Sequence, residues 1–427
     1  MQSMAQSAHG ETVRDRLWLW GHPAGVYNER YLANANLPKN KSTIEPVAAA
    51  DFMGIRNMIF IRYMGQPSPP FANYYQPFKK LDRVYWSLVG ARGATTDEER
   101  EQVYNLAEAN ENIVGFILDD FFHASLSDPT HTTGFWLAEK NAKFPVVIAL
   151  SPPKPIRCDT LTLVQSEFPT GEHRSKEYAV ELSTDCKDFN QVAMGTLPDK
   201  SAAKVEVNLP DEEFASLRIR ILGGYDQEGA RSCGLTAIHL HADGLPIDLK
   251  DWTAVASSND RGFVAANLLG GLVPFPASLT PQQLHDLGER KVRGKQLPIM
   301  AVVYTGQISP RAQAHIDQVD QVCMWTWRPE NLKHLETNFA NLEKLVGDKP
   351  IFLGCYMAET LPREKKPLPV KLMKQQTELG YQWLRQGRIK GMIFLASAIC
   401  DLNLESVEWT RQWIRRVGDQ ALPAEKP

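Results

Sequence analysis

The residues best placed to do chemistry are acids that close apolar runs. The run Ile113 to Asp119 ends in LDDFF, which sets Asp119 and Asp120 side by side; Ile351 to Tyr356 leads through YMAE to Glu359; Gly391 to Ala396 leads to Asp401. Two carboxyl groups flanking a glycosidic bond suffice to hydrolyse it, one protonating the leaving oxygen and the other attacking carbon or activating water. Period-two alternation puts Gly115, Ile117 and Asp119 on one face of an extended run and Phe116, Leu118 and Asp120 on the other. The small Gly115 suits a crowded interior, so Asp119 is expected to point inward as the catalytic group, with Asp120 orienting a neighbour or holding a loop. Glu359 is the expected second carboxylate. Asp401, just before the last helix, is a candidate substrate contact whose plainer role is a helix cap.

The same run ends are rich in flat side chains: Trp20, Tyr63, Trp86, Tyr304, Trp325, Trp327 and Tyr356. Sugar rings present C–H faces that stack on such planes, and an aromatic wall around a polar mouth suits a carbohydrate cleft. Trp327, immediately before Arg328, and Tyr304 are the first choices. His22, in WGHPAG, is placed to hydrogen-bond a substrate hydroxyl. Arg62 is placed to hold a carboxylate, as a uronic acid or sulfated sugar would require. His239 and His241 read as surface residues of a strand rather than ligands.

The elements that must carry these residues follow a β/α rhythm. Strands are expected at Leu17 to Trp20, Met58 to Tyr63, Arg83 to Val89, Ile113 to Asp119, Ile299 to Tyr304, Gln321 to Trp327, Ile351 to Tyr356 and Gly391 to Ala396. Eight is the number that closes a (β/α)8 TIM barrel, whose chemistry sits at the C-terminal strand ends. Capping pairs are read at Ser42 with Glu45, Thr96 with Glu99, and Thr280 with Gln283, the last with Pro281 at the first helical position. Gly347, Gly387 and Gly418 stand where helices should end. Leu404, Val407, Trp409, Trp413 and Ile414 give the last helix a packing face. An open doubly wound sheet is the competing architecture, but no glycine-rich phosphate loop follows the first strand.

Between Phe122 and Thr280 the rhythm stops and short alternating strands take over. The runs KEYAVELSTDCKDFNQVA (Lys176 to Ala193) and FASLRIRILGGYDQEGARSCGLTAIHLHADG (Phe214 to Gly244) resemble strands of the discoidin family, the coagulation-factor type C domains. In that family W-x-V-x-A-S-S and N-L-L-D-G precede a T-x-x-W segment, whereas here Thr133 to Trp136 comes first and WTAVASSNDRGFVAANLLGG (Trp252 to Gly271) comes last. The resemblance therefore implies a circularly permuted β-sandwich spliced into a barrel loop. The expected domains are residues 12–124 and 274–420 for the two barrel halves and 125–273 for the insert. A structural calcium near the N-L-L-D-G turn is implied by the family, but Gly270 stands where its acid would be.

The barrel halves, with LWLWGH (Leu17 to His22) and GFILDDFF (Gly115 to Phe122), resemble uncharacterised barrel proteins of polysaccharide-degrading bacteria. The layout also resembles the clan of retaining glycoside hydrolases whose acids come from strands four and seven, although aspartate stands here where that clan has glutamate. These resemblances imply an oligo- or polysaccharide partner and a retaining glycoside hydrolase. The rival readings are a sugar-binding barrel without catalysis and a metal-dependent lyase or isomerase using Asp119, Asp120 and a histidine.

Composition excludes other partners. A formal net charge of −3 offers no long-range pull on nucleic acid or anionic lipid. No run approaches the roughly 20 apolar residues that span a bilayer. The opening MQSMAQSAHG lacks the apolar core of a secretion signal, so a periplasmic or secreted place would require a leader already removed, and a cytoplasmic one would not. The six cysteines show no CxxC spacing, and Cys323, Cys355 and Cys400 read as buried thiols. No cofactor is expected.

Overall fold

The computed structural model describes residues 10–33, 35–122, 136–166, 173–225, 232–260, 263–270, 275, 277–358 and 367–423. The chain divides into two compact units: Met1–Pro129 with Ala277–Ile308 and Ala312–Pro427, and Thr130–Pro276 with Ser309–Arg311.

The first unit is a closed eight-stranded parallel barrel. Its strands in order are Leu17–Gly21, Asn57–Phe60, Arg83–Val89, Ile113–Leu118, Ile299–Tyr304, Gln321–Trp325, Ile351–Tyr356 and Gly391–Leu395, and the first pairs with the eighth. Most of their residues are buried, as strands covered on both faces must be. A helix follows each strand; the longest are Asp97–Glu108, Leu335–Val346, Val370–Arg385 and Glu405–Val417.

Inside, large rings are accommodated by glycines on neighbouring strands. A Cβ at Gly115 would lie 2.3 Å from the Tyr85 ring, and one at Gly354 would lie 2.1 Å from that of Trp325. Trp18, Tyr85 and Phe352 form one layer, and Trp20, Trp325 and Tyr356 the next toward the C-terminal ends. Tyr85 also reaches Gln321 with its hydroxyl, at 2.8 Å.

Helix starts and stops differ in part from the expected ones. Thr280 and Gln283 form the full capping box with Pro281 at the first turn. Thr96 accepts from the Glu99 N–H at 3.2 Å, but the Glu99 carboxylate pairs with Arg62 instead of returning to the cap. The Ser42–Glu45 box does not form: the helix begins at Pro46, with Glu45 itself in the cap position, and Ser42 turns to Asp401. Gly347 and Gly387 adopt left-handed backbone at helix ends, whereas Gly418 stays right-handed. On the last helix Thr410 is buried and Trp409 only half-buried.

The second unit is all-β and antiparallel. One sheet orders Lys204–Asn208, Thr160–Gln165, Gly234–Ala242 and Leu245–Pro246, with Trp136–Leu137 also on Gly234–Ala242. The other orders Thr253–Ala256, Val146–Ser151, Ser216–Ile221, Glu177–Ser183 and Asn190–Thr196. Both sheets feed one core that includes Ile148, Leu163, Val180, Ile219, Ile238 and Leu240, which makes the unit a sandwich. Trp136 and Trp252 join that core, and the Trp136 indole donates to the Ser258 carbonyl at 3.1 Å. Barrel plus β-sandwich is the fold class expected from the sequence.

Candidate functional site

The acids of the fourth strand sit at the C-terminal end of the barrel. Asp119 extends that strand, its N–H bonded to the Val89 carbonyl at 3.0 Å, and its residue is 5% exposed. Burial first, then the charge of Asp120, hold its carboxyl well above the usual carboxylate range, against a bond from the Asp120 backbone. Both causes favour the neutral acid, the form from which a general acid donates its proton.

Asp120 turns away from the strand. Its backbone is left-handed, φ +44°, a conformation that aspartate tolerates better than most residues. One carboxylate oxygen accepts from the Tyr304 hydroxyl at 2.7 Å and the other from the Arg92 N–H at 2.8 Å. Tyr356 hydrogen-bonds Tyr304 in turn. Burial and the Asp120 charge push the hydroxyls of Tyr304 and Tyr356 well above the ordinary phenol range. The result is a chain, Tyr356 to Tyr304 to Asp120, in which both phenols keep their protons.

Two tyrosines that the sequence reading passed over belong to the same end. Tyr27 packs edge-on against Tyr31 at 5.1 Å and Tyr63 at 5.8 Å, and burial first, then Tyr31, Tyr63 and Asp119, raise its hydroxyl. Both follow the first strand in YNERY, a spacing of four that sets two rings on one side of a helical turn, here a π-helical one at Asn28–Leu32. That spacing was the available signal.

The other candidates are distributed differently. His22 is buried against Tyr27 and Tyr63, and its Nε2 accepts from the Trp20 indole at 3.1 Å. Burial lowers it to about 3, with the Ile61 carbonyl opposing, so the imidazole is neutral. Arg62 is 4% exposed, paired with Glu99 and lying over the Phe71 ring at 5.2 Å. Trp86 faces outward into a cluster of Phe60, Phe71, Tyr75 and Phe78 beneath the helices. Trp325 is buried between Trp20 and Tyr356, and Trp327 is half-buried.

Asp401 accepts from the Lys39 ammonium at 3.2 Å and the Thr43 N–H at 2.9 Å. Burial tends to raise its carboxyl, but Ser42, Thr43 and Lys39 outweigh it and hold the group below the usual range. Glu359 lies outside the described residues, as does Thr133.

The sandwich has a cleft of its own, about 500 Å³, bordered by Thr236, His239, His241, Pro246, Asp248 and Asn267. His239 is exposed there and His241 half-buried. At the turn that would hold calcium, Gly270 contributes no carboxylate and adopts φ +71°. Among the described residues no group of three or more His, Cys, Asp or Glu converges as metal ligands would. All three cysteines expected to be buried are so, and no helix among the described residues is long and apolar enough to cross a membrane.

Fold and site together define a closed parallel barrel with a paired-acid, tyrosine-ringed rim and an all-β partner unit. Compared with protein-family models and with curated protein sequences, the chain matches none. Solved structures do show similarity. A family 32 carbohydrate-binding module from a family 31 glycoside hydrolase of Clostridium perfringens matches 29% of this chain and 86% of its own, at 14% identity and TM-score 0.24. The module CpGH89CBM32-5 of Clostridium perfringens, solved with GalNAc-β-1,3-galactose, matches 28% of this chain and 91% of its own, at 12% identity and TM-score 0.24. The family 32 module of C. perfringens NanJ, solved with galactose, matches 28% and 88%, at 9% identity and TM-score 0.23.

Proposed function

We propose that this protein hydrolyses glycosidic bonds of an oligo- or polysaccharide at the C-terminal end of the barrel. The observation that carries the reading is Asp119: a carboxyl buried beside an adjacent carboxylate at the end of a barrel strand, surroundings that raise it and favour the neutral acid. In this reading Asp119 delivers its proton to the leaving oxygen. Asp120, held by Tyr304 and the Arg92 N–H, keeps a negative charge beside the developing oxocarbenium ion. Glu359, which follows the seventh strand, serves as the nucleophile of a retaining reaction. The sandwich holds the polymer, and its cleft beside His241 and Asp248 is the proposed seat of a sugar residue.

The test is a panel of polysaccharides and p-nitrophenyl glycosides given to the wild type, Asp119→Asn and Glu359→Gln. Cleavage by the wild type and its loss in both variants, with a cooperative thermal transition retained, supports the reading; an active double variant ends it. The low exposure of Asp119 favours one alternative, a barrel that binds sugar without cleaving it. That alternative wins if the wild type binds a polysaccharide in affinity electrophoresis and cleaves nothing.

A further inference from the structure

The barrel strands do not all end at the same height. The sixth pairs with the seventh only as far as Trp325 opposite Gly354, while the seventh continues to Tyr356. Beyond that point the Met357 N–H bonds the Leu395 carbonyl of the eighth strand at 3.0 Å. Because successive residues of a strand direct their N–H and C=O to opposite sides, the two backbone groups of Tyr356 face the side that the sixth strand has vacated. Buried peptide groups must find partners there.

Gln376, on the helix Val370–Arg385, supplies both. Its side-chain oxygen accepts from the Tyr356 N–H at 3.1 Å, and its amide nitrogen donates to the Tyr356 carbonyl at 3.1 Å. The residue is 1% exposed. One amide thus replaces a missing piece of strand. The first strand shows the same device, since the Ser397 hydroxyl accepts from the His22 N–H at 3.0 Å and donates to the His22 carbonyl at 3.2 Å.

We propose that Gln376 is a positioning residue of the barrel rim: it fixes Tyr356, whose phenol bonds Tyr304, and through Tyr304 it orients the Asp120 carboxylate. The inference rests on the hydrolytic reading of that rim, and it reaches past the groups that would touch substrate. A neutral carboxyl can accept and donate as the amide does, so Gln376→Glu keeps the clamp while protonated and loses it on ionisation.

The experiment compares Gln376→Leu, Gln376→Glu and, as a control, Thr377→Val, whose buried hydroxyl bonds its own helix at Met373 and Lys374. Each is assayed across pH on the p-nitrophenyl glycoside that the wild type cleaves fastest, with thermal melts alongside. Gln376→Leu is expected to lower kcat about tenfold or more with KM little changed. Gln376→Glu should recover activity at acid pH and lose it as pH rises, and Thr377→Val should melt earlier without moving kcat or the pH profile. A wild-type kcat and pH profile in Gln376→Leu overturns the proposal; so does a Thr377→Val variant with the same kinetic defect. If the wild type cleaves nothing, the hydrolytic reading fails. The clamp is then judged by alkaline titration of tyrosinate absorbance over the range where circular dichroism stays native. An earlier onset in Gln376→Leu than in wild type supports it, and an unchanged onset overturns it.

Discussion

Two aspartates follow barrel strands at the same end of the molecule and meet opposite fates. Asp119, after the fourth strand, is buried beside a second carboxylate, and among the described residues no cation is one of the groups that set its ionisation. Asp401, after the eighth, has the Lys39 ammonium, the Thr43 N–H and the Ser42 hydroxyl around it. The first is driven toward the neutral acid, the second toward the anion. A residue type at a strand end is thus only an offer of chemistry; the neighbours decide whether it becomes a proton donor or an anchor.

The contrast can be broken most sharply through turnover. Asp119→Asn should cut hydrolysis by about 10²- to 10⁴-fold, the usual worth of a general acid, whereas Asp401→Asn should leave kcat on a small glycoside near the wild-type value. Equal losses would erase the distinction. Arg62 gives the next largest effect: Arg62→Met strands Glu99 and should cost about 3 kcal/mol of stability, read by urea unfolding. Its commitment to Glu99 and Phe71 also predicts an unchanged preference between neutral glycosides and uronides, and a selective loss on uronides would show that the arginine does meet substrate.

Stability against pH sharpens the comparison further, because the two signs are opposite. The folded-state value of Asp119 lies above its unfolded one, so its ionisation costs stability as pH rises beyond about 4. Asp119→Asn should melt above the wild type at pH 7, and the two should converge near pH 3. Asp401 is shifted down, so its contribution is present above the unfolded value and fades as pH falls. Asp401→Asn should therefore cost about 1 kcal/mol at pH 7, a gap that narrows below about pH 4.

Much of the barrel is written plainly in the chain, because strands buried on both faces read as apolar runs between turn residues; Arg83–Val89, Ile299–Tyr304 and Ile351–Tyr356 begin and end where expected. The expected ends ran too far where apolar residues continue past the ladder. Ile61 is buried beyond the second strand, and Tyr63 is in a tight bridge with Gln66. Facing was harder to read than position. Trp86 and Trp20 look alike in sequence, yet one alternation step sends Trp86 out beneath the helices while Trp20 stays inside. Tertiary partners were invisible altogether: nothing local marks Glu99 as the counter-ion of Arg62, or Gln376 as the partner of a strand end in another element.

The interruption after the fourth strand has a consequence for how the chain comes to be folded. During synthesis strands one to four emerge first, and the pairing of Leu118 with Ala301 must wait until the whole intervening unit has been made. The half-built cylinder exposes two raw edges over that interval. Because the entropic cost of closing a loop grows only slowly with its length, an insertion of this size can be carried between the fourth and fifth strands without preventing closure of the ring.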